Sequence, residues 1–469
     1  MPKRLFFFHW QKPMRCFTAK LKEAMKTTQT SLLMAAMLMI LTGFSGMAQN
    51  KVWKLEDCIR YALDKNIQVK KADLTNHQNQ LYSDQAQANR LPSLSASASQ
   101  NFNWYKGFDT ATGQYGSSNG SNSTNYSMNS NVTLFNGEKL SKKIKVASID
   151  LESGKFYSES VKESVGISIL NGYLQVLFSY ESVNNAKKQI ESTSQQLALA
   201  KERMDQGVIS LADYLQIKSE LATEKSTLAT AESQLAINKV TVMQLMDLPV
   251  DKNFEISSPN LDSLLMKTYQ PDAQEIYNLA LGIKPEIKNA ALNKQSASLN
   301  VEIAKADYLP SLSLGAGLSS SYSSLTTGAD YTAQLKNKVN PAIGFSLSIP
   351  IFQKNQIRTN VSLAKIAVSN AELDELNTKN TLRKEIEQAC ADVDKAKSEY
   401  AASQEQMQST KESYDVTDEK YKVGLLNSVD FLVQKTNLIT SESKLLQSKF
   451  SLIFGYKVLD FYKGIPLTL

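Results

Sequence analysis

Side chains able to do covalent or metal chemistry are scarce in this chain, and that scarcity narrows its function before any fold is considered. Beyond residue 48 there is one histidine, His77, and there are two cysteines, Cys58 and Cys390. A zinc site or a histidine-based triad has almost nothing to be built from, and no glycine-rich phosphate loop is present. Two cysteines are too few for a disulfide framework, although a single bridge stays open. The expectation is a protein that is not an enzyme and that holds no cofactor and no metal. What remains suggestive is a pair of carboxylates, Asp213 and Asp430, each six residues after a glycine. The plain reading of each is a residue in the first turn of a helix, where the macrodipole favours a negative charge by about 0.3–1 kcal/mol.

Those carboxylates sit in a stretch that occurs twice. Arg203 to Leu215 reads against Lys420 to Leu432, 217 residues later. Each copy has a long polar helical pattern, a glycine (Gly207, Gly424), a capping residue (Ser210, Asn427) and a second helical pattern. Glycine ends a helix cheaply in the left-handed region, and serine or asparagine satisfies the free amides that open the next helix. Each stretch therefore reads as the tip of two long antiparallel helices. Other landmarks return at offsets of 217 or 218: Leu91-Pro92-Ser93-Leu94-Ser95 as Leu309-Pro310-Ser311-Leu312-Ser313, Leu134-Phe135-Asn136 as Ile351-Phe352-Gln353, and Ala62-Leu63 as Ala280-Leu281. So long a period implies a duplicated half-chain and not a solenoid.

The elements that must position the tips follow from periodicity. Leu94, Ala96, Ala98, Phe102 and Trp104 alternate with Ser95, Ser97, Ser99 and Asn101, which predicts a strand with one apolar and one polar face. Residues 106–124 have a Gly/Ser/Asn/Thr composition that predicts a loop, and a second strand is expected on Tyr126, Met128, Val132 and Leu134. The programme repeats with a strand after Pro310, a loop over about 323–340, and a strand on Ile343, Phe345, Leu347, Ile349 and Ile351, in which Pro350 argues for a strand end or rim. Long helices are expected from about Gly137 to Met204, with a seam on Leu140, Ile144, Ala147 and Leu151, and beyond the first tip with a seam on Leu215, Ala222, Ala229 and Ala236. Leu382, Ile386, Ala389, Val393, Ala396 and Tyr400 mark a third, and Leu438, Leu445 and Leu452 a fourth.

Four strands cannot close a barrel alone, since membrane barrels start near eight. Three chains would pool twelve strands and twelve long helices. The competing architecture, an ordinary antiparallel sheet packed on helices, sits awkwardly beside helices of this length.

Charge is concentrated at the N-terminus. Residues 1–48 hold seven Lys/Arg and one acid, Glu23; the rest of the chain has 45 basic and 45 acidic residues. A nucleic-acid partner needs a basic footprint, and none is left. Lys26, the apolar run Leu32 to Leu41 and Gly46-Met47-Ala48 match the three regions of a secretory signal, in a run too short to span a bilayer comfortably. Translation starting at Met25 would suit that signal better, and no cysteine at the cleavage point supports lipidation. The expected organisation is a signal peptide over 1–48, a first repeat over 49–250, a linker over 251–271 and a second repeat over 272–469.

The order helix, strand–loop–strand, long hairpin, twice over and behind a signal, resembles the outer-membrane efflux protein (TolC) family. The resemblance covers about Val52 to Phe461 and rests on the two Leu-Pro-Ser-Leu-Ser strand starts, the two tips (Val423-Gly424-Leu425 is the clearest) and the Leu55-to-Leu63 opening. It implies a mainly α protein with a membrane β-barrel: a homotrimer with a twelve-stranded barrel in outer-membrane lipid over an α-helical periplasmic tunnel. It implies an exit duct of an efflux or secretion system, fed by an inner-membrane pump of the RND, ABC or MFS type through a periplasmic adaptor docked at the tips, on Gly207, Val208, Val423, Gly424 and Leu425. The family's gate aspartate falls on Asp430. A second ring three residues on falls on Val433, which puts an apolar residue where relatives have a charge. Asp213 matches a carboxylate that locks neighbouring hairpins and Tyr421 a lock tyrosine, while the tyrosine's arginine partner falls on Leu426. A coiled-coil surface or adhesive protein without a pore is the alternative, and it would show larger, more regular apolar seams and no paired strands. A periplasmic hydrolase lacks the histidines, and a plain porin has no use for four very long helices.

Overall fold

Asn66, Ser210, Asp272, Asp330 and Asn427 each open a helix with a side-chain cap. In the computed structural model, residues 52–111, 113–260, 262–265 and 271–469 are described; the signal peptide expected over 1–48 and part of the linker lie outside them. The chain divides into two compact units. One takes Val52 and Asn253–Glu255 of the described residues; the other, Trp53–Lys252 with Ile256–Leu469, holds everything discussed below.

Asn66 accepts hydrogen bonds from the amides of Gln68 and Val69, and separates α1 (Leu55–Lys65) from α2 (Ile67–Ala88). The chain then forms β1 (Ser93–Asp109) and β2 (Gln114–Phe135), followed by α3 (Lys139–Asp205) and α4 (Leu211–Leu245). The second half repeats this as α5 (Ala273–Ile283), α6 (Pro285–Ala306), β3 (Ser311–Ser323), a short α7 (Tyr331–Asn337), β4 (Asn340–Ser348), α8 (Gln356–Lys422) and α9 (Ser428–Tyr462). The paired helices have equal lengths: 11 residues for α1 and α5, 22 for α2 and α6, 67 for α3 and α8, 35 for α4 and α9. Each 67-residue helix leaves the sheet through left-handed residues, Glu138 (φ 64°) and Asn355 (φ 63°), 217 positions apart. At about 1.5 Å per residue, each is roughly 100 Å long.

Different partners cover the two ends of each long helix. Towards the tips, α4 packs antiparallel on α3 and α9 on α8; towards the sheet, α2 and α6 pack on α3, and α6 also packs on α8. Four helices therefore run side by side at either level. The α8 seam is as the heptads predict: Leu382, Ile386, Val393 and Ala396 are buried in one cluster with Ile276, Ala280, Ile287, Leu452 and Leu459. The first-half seams differ. Leu140, Ile144, Ala147 and Leu151 are only half-buried, and Ile149, Ser153, Gly154 and Ser158 form the buried stripe of α3. Leu215, Ala222, Ala229 and Ala236 are exposed, because α4 turns Ile217, Glu224, Val242 and Met243 inward instead. Cys58 and Cys390 are both buried and unbridged.

The four strands form one antiparallel sheet in the order β1-β2-β3-β4. Its register lines up Ala96, Met128 and Leu318 across three strands, and Leu314 with Phe345 and Ala316 with Ile343 across β3 and β4. The opposite face is serine, asparagine and glycine: Ser97 pairs with Ser127 through their hydroxyls at 2.7 Å, and Gly315 faces Gly344. Leu94, Phe345 and Leu347 are exposed on the apolar face. That is the pattern of a sheet with lipid on one side and water on the other. Trp104 shares the apolar face, while its neighbour Tyr105 points to the other one.

Two loop expectations are corrected. Residues 106–124 lie mostly in strand: β1 and β2 stay paired out to Asp109 and Gln114, well beyond the end of β3. The composition reads as loop, but a ladder needs only backbone amides, and the partner strand supplies them. The loop between β3 and β4 contains α7, capped by Asp330 and pinned by Gln334, whose side chain takes the amide of Ser323 and donates to the carbonyl of Ala329. β4 ends at Ser348, two residues before Pro350. Among the described residues no helix is long and apolar enough to cross a membrane.

Candidate functional site: the paired hairpin tips

Both tips are built alike. The amide of Gly207 donates to the carbonyl of Met204 (2.9 Å) and that of Val208 to Arg203 (2.8 Å); the amide of Gly424 donates to Tyr421 (3.1 Å) and that of Leu425 to Lys420 (2.9 Å). This double closure needs a left-handed residue, which Gly207 (φ 75°) and Gly424 (φ 77°) supply. The apolar side chains beside them stand in solvent: Val208 is 63%, Val423 67% and Leu425 77% exposed.

The helices after the tips start with their predicted caps. The hydroxyl of Ser210 accepts from the amide of Asp213 (3.1 Å) and the Asp213 carboxylate accepts from the amide of Ser210 (3.2 Å), a reciprocal box. Asn427 accepts from the amide of Asp430 (2.8 Å) and donates its own amide to the Asp430 carboxylate (2.9 Å).

The two aspartates then diverge. Asp213 reaches across to the second hairpin and accepts a hydrogen bond from the hydroxyl of Ser428. Hydrogen bonds from Ser210 first, and then from Ser428, hold its carboxyl below the usual aspartate value. Asp430 stays on its own hairpin, exposed, with Val433 exposed one turn further along the same face.

Tyr421 is buried, its ring stacked on Phe431 at 4.6 Å and 17°. Its hydroxyl has no hydrogen-bond partner among the described residues, and burial pushes its pKa up against the opposing pull of Arg203. Leu426 packs half-buried on the same cluster of Ala200, Ile217, Tyr421, Phe431 and Leu432.

Two ties were not legible in the sequence. Arg203, in the last turn of α3, donates to the carbonyl of Tyr421 (2.9 Å) and to that of Lys422, two of the carbonyls in the last turn of α8 that have no partner further along the helix. The cross-hairpin arginine contact is thus made from the first hairpin to the backbone of the second. Lys435 is the other: it lies buried on the stripe Ser428, Phe431, Leu432, Lys435 of α9, 3.0 Å from a carboxylate oxygen of Glu224 and bonded to the hydroxyl of Thr193. Extending the apolar stripe by one position would have flagged that lysine. Nothing in the sequence betrays Arg203, because its acceptors are backbone atoms. Among the described residues no group of three or more His, Cys, Asp or Glu is gathered as metal ligands.

Comparison with known proteins agrees with this architecture. The family model described as outer membrane efflux protein matches residues 58–247 and 276–452. Among curated relatives, the pyoverdine export outer membrane protein OpmQ of Pseudomonas aeruginosa is 23% identical over 308 residues, 64% of this chain and 61% of that protein. The match therefore spans about three-fifths of that relative's length. The outer membrane protein TolC of Salmonella enteritidis is 22% identical over 79% of this chain and 74% of its own length. In fold, the chain is similar to CusC (TM-score 0.77, 17% identity, covering 90% of this chain and 96% of the other) and to the CmeC outer membrane channel of Campylobacter jejuni (TM-score 0.72, 20% identity, covering 89% and 86%). With a family model matching both halves, hairpin for hairpin, the chain belongs to the outer membrane efflux protein family.

Proposed function

We propose that this chain forms the outer-membrane exit duct of a tripartite export system, a homotrimer whose twelve pooled strands sit in lipid above a tube of long helices in the periplasm. The observation that carries the reading is the sheet. It has one face that carries most of its apolar side chains, one serine- and asparagine-rich face, and two outer edges, on β1 and β4, without ladder partners among the described residues. Such a sheet satisfies its backbone in hydrocarbon only when further copies close it. The duct does no chemistry of its own, and cargo arrives from an inner-membrane pump of the RND, ABC or MFS type through a periplasmic adaptor. The adaptor docks on the exposed tips at Gly207, Val208, Val423, Gly424 and Leu425. Two tandem repeats, over about 49–250 and 272–469 with a linker over 251–271, follow a leader over 1–48.

In the trimer Asp430 forms a carboxylate ring at the periplasmic constriction, where like charges attract cations, and Val433 forms an apolar ring beside it. Asp213 and Tyr421 hold the second hairpin to the first, Asp213 through Ser428 and Tyr421 through its carbonyl under Arg203, while the stack of Tyr421 on Phe431 braces the second hairpin internally. The test is single-channel conductance of purified protein in a planar bilayer, wild type beside Asp430→Ser. Small cation-preferring openings that lose selectivity or grow in the variant are expected. The absence of any channel from folded wild-type protein would overturn the duct.

A further inference from the structure

At the level nearer the sheet the four helices stand in the row α2-α3-α6-α8, since α2 packs on α3 and α6 packs on both α3 and α8. The helix at either edge of that row exposes a heptad seam. On α2 it is Ile67, Lys71, Leu74, Gln78 and Leu81, and on α8 it is Leu363, Ile366, Asn370 and Leu373. The six apolar members are between 55% and 67% exposed. Steps of four and three residues mark one face of a helix that meets another helix.

The duplication says what covers these seams. Shifted back by 217, the α8 seam falls on Val146, Ile149, Ser153 and Phe156 of α3; shifted on by 218, the α2 seam falls on Pro285, Asn289, Leu292, Ser296 and Leu299 of α6. Every one of these counterparts is buried or half-buried. They lie where α6 runs antiparallel on α3: the Ser153 hydroxyl donates to Asn289 (2.5 Å) and Asn293 (2.8 Å), and that of Ser296 to Asp150 (2.8 Å). The packing of α2 on α3 repeats within the chain as α6 on α8. The packing of α6 on α3 has no such repeat, because its equivalents, α2 and α8, stand at opposite edges of the row. The sheet has the same arrangement: β2 pairs with β3, and the repeat of that pairing would join the open edges of β4 and β1.

We propose that α8 of one copy packs antiparallel on α2 of a second copy of this chain, in the register that α3 and α6 show within it. The contact is heterologous, so successive copies follow one direction and close as a ring. This deepens the homotrimer reading and rests on it for the number of copies alone.

The chemistry of the two seams differs. Inside the chain, three ion pairs cross from α3 to α6 or its cap: Lys139 to Asp307 (2.5 Å), Lys142 to Glu302 (3.7 Å) and Glu163 to Lys284 (2.9 Å). The same positions between copies are Gln356 with Asn89, Thr359 with Asp84, and Asn380 with Asn66, so only Asp84 keeps a charge. Were α2 to take the place of α6 on α3, Lys139 would face Asn89 and Glu163 would face Asn66. Stranded charges of this kind reject the wrong helix. Two half-chains with helices of equal length are thereby told apart: the seam inside a copy is ionic, and the seam between copies is apolar and amide.

The test is disulfide trapping in the purified full-length chain, with Leu81→Cys plus Leu363→Cys and, separately, Leu74→Cys plus Asn370→Cys. Each pair lies on opposite edges of its own chain with α3 and α6 between, so a bond can join only two copies. The native Cys58 and Cys390 are buried and unbridged. Mild oxidation should give a ladder on a non-reducing denaturing gel, ending at three copies, while the parent and each single variant run as monomer. Leu81→Cys plus Leu376→Cys, about 20 Å out of register, should stay unlinked. Ile366→Glu should lower the temperature at which the oligomer comes apart, and Lys365→Glu, off the seam, should not. No bond at either matched pair, a dimer from Leu81→Cys alone, linking through Leu376→Cys, or equal effects of the two glutamates would each overturn the proposal. A protein that cross-links and forms no channel would sink the duct and leave the seam standing; one that conducts and never cross-links would do the reverse.

Discussion

Arg203 and Asp213 both reach from the first hairpin to the second at the tips, and they should fail differently. Arg203→Ala removes hydrogen bonds from a charged donor to the Tyr421 and Lys422 carbonyls, a loss of about 1.5–3 kcal/mol per bond when such a donor is removed. Conductance traces should show more frequent openings; Arg203→Lys should rescue only in part, because the planar fork is gone. Traces of Arg203→Ala indistinguishable from wild type would mean the tie does not hold the closed state. Asp213 adds a pH dependence. Its carboxyl is lower in the folded protein than the ordinary value of 3.8. A carboxylate depressed in this way contributes stability that is complete above the unfolded pKa and is lost as pH falls through the folded one. The tip contact should therefore persist through mild acid and loosen only below about that ordinary value, as read by hydrogen exchange of the tip amides; loosening already at pH 5–6 would point to another group.

At the scale of the element, the tip glycines make a matched pair. Gly207 and Gly424 share a left-handed φ with open space around them, so an added methyl meets no neighbour and only the backbone is strained, at about 1–2 kcal/mol. Gly207→Ala and Gly424→Ala should lower the melting temperature by similar amounts, and a silent change at either would mean that tip is not held in this turn. What the sequence made legible here tracks how local the signal is. Heptad spacing marked α8 correctly because its seam packs on elements of its own half. The seam expected on α4 lies on its exposed face, since small residues at seven-residue spacing do not say which face of a helix meets its partner. The outer part of the β1–β2 hairpin was missed because Ser, Asn and Gly carry no apolar alternation, and α7 because seven residues hold less than two turns of periodicity. Lys435 and Glu224 are hidden in the sequence because a charged side chain on a helix reads as solvent-facing until its buried partner is known.

For the whole molecule, the sheet's two faces make opposite predictions at adjacent residues. Phe345→Arg puts a charge on the apolar face and should cost about 2–4 kcal/mol if it lies near the bilayer midplane, measured by urea-dependent folding into liposomes. Ser346→Arg, on the other face, should fold as wild type and shift ion selectivity instead. Equal destabilisation by both would contradict a water-filled lumen. The duplication was readable at this scale because every landmark moved by nearly the same offset, whereas closure by further copies is nowhere written in a single chain except as edges left open.

The division of each 67-residue helix between a 35-residue partner towards the tip and a 22-residue partner towards the sheet separates reach from girth. Four helices stand at either level and four strands above them, so the circumference is set by count and the length by where the partners meet. Taking seven residues from facing stretches of α3 and α4, and from α8 and α9, turns each helix through nearly two whole turns. Every side chain keeps its face, and the tube draws in by about 10 Å. In the trimer proposed above, that makes the architecture a telescope with a fixed bore: cells whose two membranes stand at different distances could be fitted by heptad steps in the arms alone, with barrel and tips untouched.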